Sequence, residues 1–287
     1  MPYGILFPER PHRISGNLTE KGMDRMKAGV STGCLFPMDL EQAVKKLAGQ
    51  GIELMEWCIN TPGELRPESI KQLKKLKEEC GIQVQSIHPF ASDFEDFLFF
   101  TQYKGRLQDG IELYRHYFDA AAQLGASYVV FHGQHRNGSM CEEQAFEHIQ
   151  ALWETAEQYG VHLLQENVAR CRGGDPEYLV HLHRALPQIE FVLDLKQALR
   201  AGHVPMDFVR QIGGSIAHVH VSDSSPEADC LPVGRGDFDF ETLFAALRQC
   251  RNSFSAVVEL YSDKVDSLPV LAESCKNLQT ALSNIEK

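Results

Sequence analysis

Two hydrophobic rhythms alternate along the chain. Short β-rich apolar runs are followed, in most cases, by longer amphipathic segments with apolar residues at helical spacing. Eight such runs occur. The first is Ala28–Thr32, and its helix begins near Asp39, a suitable N-cap. The second, Ile52–Trp57, leads past Pro67 into IKQLKKLKEEC and stops at Gly81, which suits a C-terminal cap. The third, Ile82–Ile87, ends at His88; the aromatic connection ASDFEDFLFFTQYKG then precedes a helix ending near Gly125. The fourth, Ser127–Phe131, ends at His132, and its helix, Glu142–Tyr159, stops at Gly160. The fifth, Val161–Gln165, ends at Glu166. The sixth and seventh lie in FVLDLKQALRAGHVPMDFVRQIGGSIAHVHVSD, where one run ends in Asp194 and the other carries His218, His220 and Asp223. After the loop SSPEADCLPVGRGD and a helix from about Phe240, the eighth run, Ser255–Val258, ends at Glu259 before a final helix.

Strands alternating with helices imply a parallel sheet covered by helices. Eight units imply a closed (β/α)₈ TIM barrel, and 287 residues fit one such domain. An open doubly wound sheet would carry a glycine-rich phosphate loop after its first strand, and TGCLFPMD is not one. With no linker-like stretch, the barrel is assigned to residues 27–287 and an N-terminal arm to 1–26. The start, MPYGILFPERPHRISG, lacks the apolar core of a secretion signal, and no run approaches membrane-spanning length. Eight cysteines without a CxxC pair read as reduced, mostly buried thiols, so a cytoplasmic location is expected. The net charge of -11 disfavours nucleic-acid binding.

In such a barrel the functional rim is the C-terminal end of the strands. A parallel βαβ unit brings Asp194 and His220 to that rim side by side, although a helix separates them in sequence. Strands three to eight deliver His88, His132, Glu166, Asp194, His220 and Glu259 in turn, a metal-site pattern. The set Glu166, Asp194, His220 and Glu259 is hard and oxygen-rich. It suits Mn²⁺ first, with Mg²⁺, Co²⁺ and Zn²⁺ as alternatives, and its lack of cysteine argues against a structural zinc site. A metal that chelates adjacent carbonyl and hydroxyl oxygens acidifies the neighbouring C–H. Glu166 and Glu259 could then remove and return a proton, as an aldose–ketose isomerase or ketose epimerase requires. A lyase or dehydratase would use the same acidified C–H but expel a leaving group.

Several other residues are candidates for lesser roles. Lys196, two residues after Asp194, shares its face if the strand continues, and could anchor a substrate oxygen. Trp57 at the end of strand two, with Glu56, and Arg235 in VGRGD are candidate substrate-binding residues. His218 is expected to face away from His220 and to pack behind the barrel. Asp223 either orients His220 or caps a turn. LPVGRGDFDF reads as a tight loop with Asp239 as N-cap, rather than a phosphate site. The aromatic segment Phe90–Tyr103 reads as a substrate lid or a contact between copies in a homo-oligomer.

The pieces LLQEN, FVLDLKQ, HVHVSD, LPVGRGDFDF and VVELY, in this order, resemble the xylose isomerase-like barrel superfamily, the sugar phosphate isomerase/epimerase group that also contains endonuclease IV. The resemblance runs from about Lys27 to the C-terminus. It implies one divalent metal on Glu166, Asp194, His220 and Glu259, with the two glutamates as acid/base pair and a small carbohydrate as substrate. The epimerases' arginine shortly after the strand-seven histidine has no counterpart in SDSSPEAD. His88 and His132 match endonuclease IV histidines that, with Glu166, would build a second metal site; otherwise they are substrate contacts. His135 in FHGQH resembles that family's loop and is a further substrate-binding candidate. Gln197 stands where the nuclease has a third-zinc histidine, and ADCLPVG lacks its D-x-H, so a nuclease is disfavoured.

Overall fold

A computed structural model describes residues 26–90 and 94–286. The strands are β1 (Ala28–Ser31), β2 (Leu54–Ile59), β3 (Gln83–Pro89), β4 (Tyr128–Phe131), β5 (His162–Glu166), β6 (Glu190–Asp194), β7 (Ile216–Val221), β8 (Asp223–Ser225), β9 (Ala228–Leu231) and β10 (Ser255–Val258). Eight of them close a barrel in the order β1-β10-β7-β6-β5-β4-β3-β2. Every barrel pairing is parallel, including β1 with β10, which closes the ring. The helices are α1 (Leu40–Ala48), α2 (Pro67–Cys80), α3 (Glu95–Phe99), α4 (Arg106–Leu124), α5 (Glu142–Glu157), α6 (Pro176–Ala185), α7 (Leu195–Arg200), α8 (Pro205–Ile212), α9 (Phe240–Cys250) and α10 (Leu268–Asn284). The expected TIM barrel is thus the observed architecture.

Local chemistry accounts for the helix ends. The Asp39 carboxylate accepts from Gln42 N at 2.9 Å and opens α1. Gly81 closes α2 at φ 66°, a left-handed conformation that glycine adopts without a Cβ clash. Asp239 caps α9 through Thr242 N. In α2 the buried residues Ile70, Leu73 and Leu76 form the stripe that lies on the sheet.

Strand alternation divides the apolar residues into two sets. The large set joins helices to outward strand faces and includes Met55, Trp57, Ile87, Phe131, Phe191 and Val219. A small separate set, Val130, Leu164, Val192 and Ala217, fills the barrel. On β5 and β6, Leu164 and Val192 lie two residues before Glu166 and Asp194, so an apolar floor supports those carboxylates. Trp57 is fully buried in the outer set and faces the helices. It therefore lines no substrate pocket, correcting that expectation: β2 alternation turns Glu56 inward and Trp57 outward.

Three additions crown the C-terminal end: α3 between β3 and α4, α7 immediately after Asp194, and the antiparallel hairpin β8–β9, which the sequence pattern presented only as loop. The β9–α9 loop is built on Asp223. Its carboxylate accepts from Gly234 N at 2.8 Å, Gly236 N at 3.0 Å and Phe238 N at 3.1 Å. A Cβ at Gly236 would lie 2.3 Å from Ser224 O, so only glycine fits. Asp223 thus consumes the loop N–H groups that a phosphate would need, as the tight-loop reading requires.

Residues 1–25, nearly all of the expected arm, lie outside the described residues. Met26 belongs to the barrel: its N–H donates to Glu286 Oε1 at 2.7 Å. All eight cysteines are free thiols. Three are buried, three intermediate and two exposed, so "mostly buried" is corrected. Among the described residues, no helix is long and apolar enough to cross a membrane.

Candidate metal centre

Barrel register sets the first contacts. Asp194 pairs directly with His220 in the β6–β7 ladder, and Glu166 lies one strand further round. β10 flanks β7 on the other side, with Val257 opposite His220 and Glu259 just beyond the strand end. His220 Nδ1 consequently faces three carboxylates: Glu259 Oε2 at 3.1 Å, Glu166 Oε1 at 3.5 Å and Asp194 Oδ2 at 3.9 Å. All four residues offer ligand atoms within 4.8 Å of one another. Neighbouring ligands that share an ion at about 2.1 Å each stand about 3 Å apart, close to these separations.

Glu166 also belongs to a second cluster. His132 Nε2 lies 3.0 Å from Glu166 Oε2 and 3.1 Å from His88 Nε2. His88 Nδ1 is tied to Pro89 O at 3.3 Å, which turns its Nε2 towards this cluster. Arg170 Nη2 lies 3.5 Å from His132 Nδ1 at the rim.

Two buried atoms test whether a cation fits. His220 Nδ1 and Glu166 Oε2 have no aligned hydrogen-bond partner despite the polar groups around them. Such atoms are costly unless something satisfies them; a cation among Glu166, Asp194, His220 and Glu259 would satisfy His220 Nδ1, and one among His88, His132 and Glu166 would satisfy Glu166 Oε2. The donor set of three carboxylates and one imidazole suits a hard cation. Glu166, Asp194, His220 and Glu259 could hold it.

The electrostatics reflect crowding of negative charge. Burial raises the Asp194 carboxyl to about 8; Lys196 opposes this, but Glu259 and Glu166 add to it. Burial likewise works to raise Glu166 and Glu259. Charged imidazoles outweigh it for Glu166, and His220 with Lys196 for Glu259, so both carboxyls lie below their ordinary range. Burial works to lower His88, yet hydrogen bonding to Glu166 and the charge of Glu56 push it up to about 9. Burial lowers the His132 imidazole.

Several predicted residues are placed differently from the expectation. The strand does not continue to Lys196; Asp194 ends β6 and caps α7 by accepting from Gln197 N at 3.1 Å. Lys196 therefore approaches from the first helical turn, and its Nζ donates to both Asp194 Oδ2 and Glu259 Oε2. His218 lies inside the barrel, correcting the outward expectation. Residues two apart on a strand share a face, so His218 sits below His220, 3.7 Å from Glu56 Oε2 and bonded to Ser255 Oγ at 2.6 Å. His135 sits half-exposed on the β4–α5 loop, its N–H donating to Asp96 Oδ1 at 2.9 Å. Arg235 lies 3.9 Å from Glu273 on α10, which draws it towards the helix layer rather than the cluster.

Sequence reasoning missed the supports. Glu56 is fully buried, and its Oε2 takes His220 Nε2 at 3.0 Å and Ser86 Oγ at 2.8 Å. Asn167, in LLQEN, clamps Asp194 through both backbone groups: Asp194 N donates to its Oδ1 at 2.6 Å, and its Nδ2 donates to Asp194 O at 3.0 Å. That Asn directly following Glu166 was visible as a polar residue at a strand end, but nothing local assigned it a partner 27 residues away.

Glu95 anchors α3 over this rim. It is fully buried; Oε2 accepts from His132 N at 2.7 Å and Gly133 N at 2.8 Å, and Oε1 from Tyr114 Oη. Phe99 and Phe100 are buried beneath the same segment, whereas Phe94, Phe97 and Tyr103 are exposed. Residues 91–93 of the expected lid lie outside the described residues. Burial raises the Glu95 carboxyl from 4.5 to about 8 against its three donors. A carboxyl raised on folding binds its proton more tightly in the native state, so stability falls as pH climbs from the unfolded value towards 8. Glu95→Gln keeps an acceptor for the two N–H groups and a donor for Tyr114, but does not titrate. Denaturant unfolding across that window should show a shallower decline for the variant; parallel slopes would contradict this account.

The model of the family described as Xylose isomerase-like TIM barrel matches residues 42–281. The chain is 25% identical over 282 residues to Uncharacterized protein MJ1311 of Methanocaldococcus jannaschii, covering 91% of this chain and 94% of the relative. The crystal structure of a D-tagatose 3-epimerase-like protein superposes with TM-score 0.75 at 21% identity, covering 91% of this chain and 98% of that one. That of IOLI protein with a binding zinc atom gives TM-score 0.71 at 17% identity, covering 91% and 98%. At these identities the two structures speak to the fold.

Proposed function

We propose that this chain, which belongs to the xylose isomerase-like TIM barrel family, is a divalent-metal-dependent isomerase or epimerase of a sugar or related keto-polyol. The observation that carries this reading is the convergence of Glu166, Asp194 and Glu259 on the unpartnered Nδ1 of His220. The oxygen-rich set favours Mn²⁺. A neighbour named for epimerisation of a sugar and another holding zinc agree with a carbohydrate substrate and a divalent ion.

When bound, the cation polarises adjacent carbonyl and hydroxyl oxygens and so acidifies the C–H between them. Glu166 and Glu259 move the proton. They rise from strands separated in the ring by β6 and β7, so their carboxylates approach a bound substrate from two sides. Each is held below its ordinary pKa and is therefore ionised, as a base must be. His88 and His132 face the same space and are placed to orient substrate hydroxyls or to share a second ion with Glu166.

The nuclease reading is disfavoured by two side chains already engaged. Gln197 accepts from Ala169 N at 3.0 Å and donates to Tyr261 Oη at 3.3 Å. Asp229, in ADCLPVG, pairs with Arg200.

Incubation with a ketose panel and Mn²⁺ in deuterium oxide tests the proposal. The expected result is one deuterium incorporated beside the carbonyl of an intact sugar, together with its isomer or epimer. Release of water, an alcohol or an aglycone would instead establish the lyase. Loss of all activity after chelation and its return with Mn²⁺ would establish metal dependence.

A further inference from the structure

The polar group in closest contact with the carboxylate cluster is a lysine. Lys196 is 3% exposed, and its ammonium bonds Asp194 Oδ2 and Glu259 Oε2. Those are the same oxygens that face His220 Nδ1. Asp194 Oδ1 accepts from Gln197 N as the cap of α7, so Oδ2 is the oxygen that Asp194 turns towards both Lys196 and His220. Two cations that need one oxygen of Asp194 and one of Glu259 repel each other at van der Waals distance, and burial leaves that repulsion poorly screened.

We propose that Lys196 is a built-in competitor for the divalent cation. Its ammonium and the metal contend for Asp194 Oδ2 and Glu259 Oε2, so Lys196 weakens metal binding and speeds metal exchange. The inference rests on the metal-dependent reading above. A displaced Lys196 has somewhere to go. Its Nζ already lies 5.6 Å from the centre of the Tyr261 ring, whose face attracts cations. A lysine that only steadied the apoprotein would give the same contacts, but two features point further. It takes the oxygens that face His220 Nδ1, and it approaches from α7, a helix that Asp194 itself caps.

The test is Mn²⁺ binding by titration calorimetry on metal-stripped protein, without substrate. Lys196→Gln should bind Mn²⁺ at least about tenfold more tightly than wild type, and release it more slowly into a chelator. Lys196→Arg, which keeps the charge, should bind Mn²⁺ more weakly than Lys196→Gln. Should Lys196→Gln fold only with Mn²⁺ present, the chelator-release rate of protein purified in Mn²⁺ gives the same comparison. Reductive methylation of the wild type, read by peptide mass, needs no variant: Lys196 should label faster when Mn²⁺ is bound. Equal or weaker Mn²⁺ binding by Lys196→Gln, or unchanged labelling of Lys196, overturns the competition. The metal reading would survive that result provided wild type still binds stoichiometric Mn²⁺ and His220→Ala does not. Failure of the wild type to bind Mn²⁺, Zn²⁺ or Mg²⁺ at all sinks both.

Discussion

Glu166→Gln is expected to lower turnover by about 10³- to 10⁴-fold on whichever sugar the wild type converts. Glutamine keeps the shape and an oxygen for a cation but cannot take a proton. Glu166 is also the residue shared by the two clusters, facing His220 Nδ1 with one oxygen and His132 with the other. Its loss therefore disturbs proton transfer and charge balance together. Elemental analysis separates the two effects. Metal retained with turnover gone assigns Glu166 to proton transfer, whereas metal lost assigns it chiefly to ligation. The two-base arrangement makes a sharper claim. With Glu259 intact, the variant should still exchange the C–H of one epimer with solvent deuterium while forming no product, because the group that would deliver the proton to the other face is missing. Glu259→Gln should show the mirror result. Activity of Glu166→Gln within tenfold of wild type would remove it from the proposed chemistry.

How far the sequence reached depended on whether a feature was local. The strand-end residues His88, His132, Glu166, Asp194, His220 and Glu259 stood out because each interrupts an apolar run, and barrel geometry alone carries such positions to one rim. Asp39 and Gly81 were legible because caps act within a turn of their own helix. Boundaries were less secure. Ile52 and Ile82 are buried, but precede β2 and β3, since apolar character reports burial and not extension. Lys196 was misplaced because Asp194 serves two purposes, ending a strand and capping a helix, and only the second sets the path of the next residues. Trp57 and Glu56 stand together at the end of an apolar run. Alternation sends one into the helix layer and the other into the barrel, and only the tertiary partners, His220 and Ser86 for Glu56, decide which is which. The partners of Glu56 were out of reach altogether, as His220 lies 164 residues away.

Removing Glu56 should damage the protein as much as removing a ligand. Its carboxylate is fully buried and takes both His220 Nε2 and Ser86 Oγ. By accepting from Nε2 it fixes the proton there and leaves Nδ1 free to face the three mouth carboxylates, the outer partner that orients a metal-binding imidazole. Burial works to raise Glu56, but the imidazoles of His220 and His218 outweigh it and hold the carboxyl well below its usual 4.5. A carboxyl depressed on folding adds stability that is complete above the unfolded value and is lost only as pH falls towards the folded one. At neutral pH its contribution is therefore whole. Glu56→Ala would leave the buried Nε2–H of His220 without an acceptor, strip Ser86 of its closer partner and open a cavity beneath them. A cost of about 3–5 kcal/mol is expected in denaturant unfolding. Metal affinity should drop about 10- to 100-fold, because the ring is free to turn Nδ1 away. Glu56→Gln separates orientation from charge. Its amide oxygen can still accept from Nε2, so it should recover most of the metal affinity while remaining less stable than wild type, because a neutral acceptor makes a weaker bond to the buried N–H than a carboxylate does. Wild-type metal affinity in Glu56→Ala would show that His220 holds its orientation without help, and would confine Glu56 to the stability of the barrel interior.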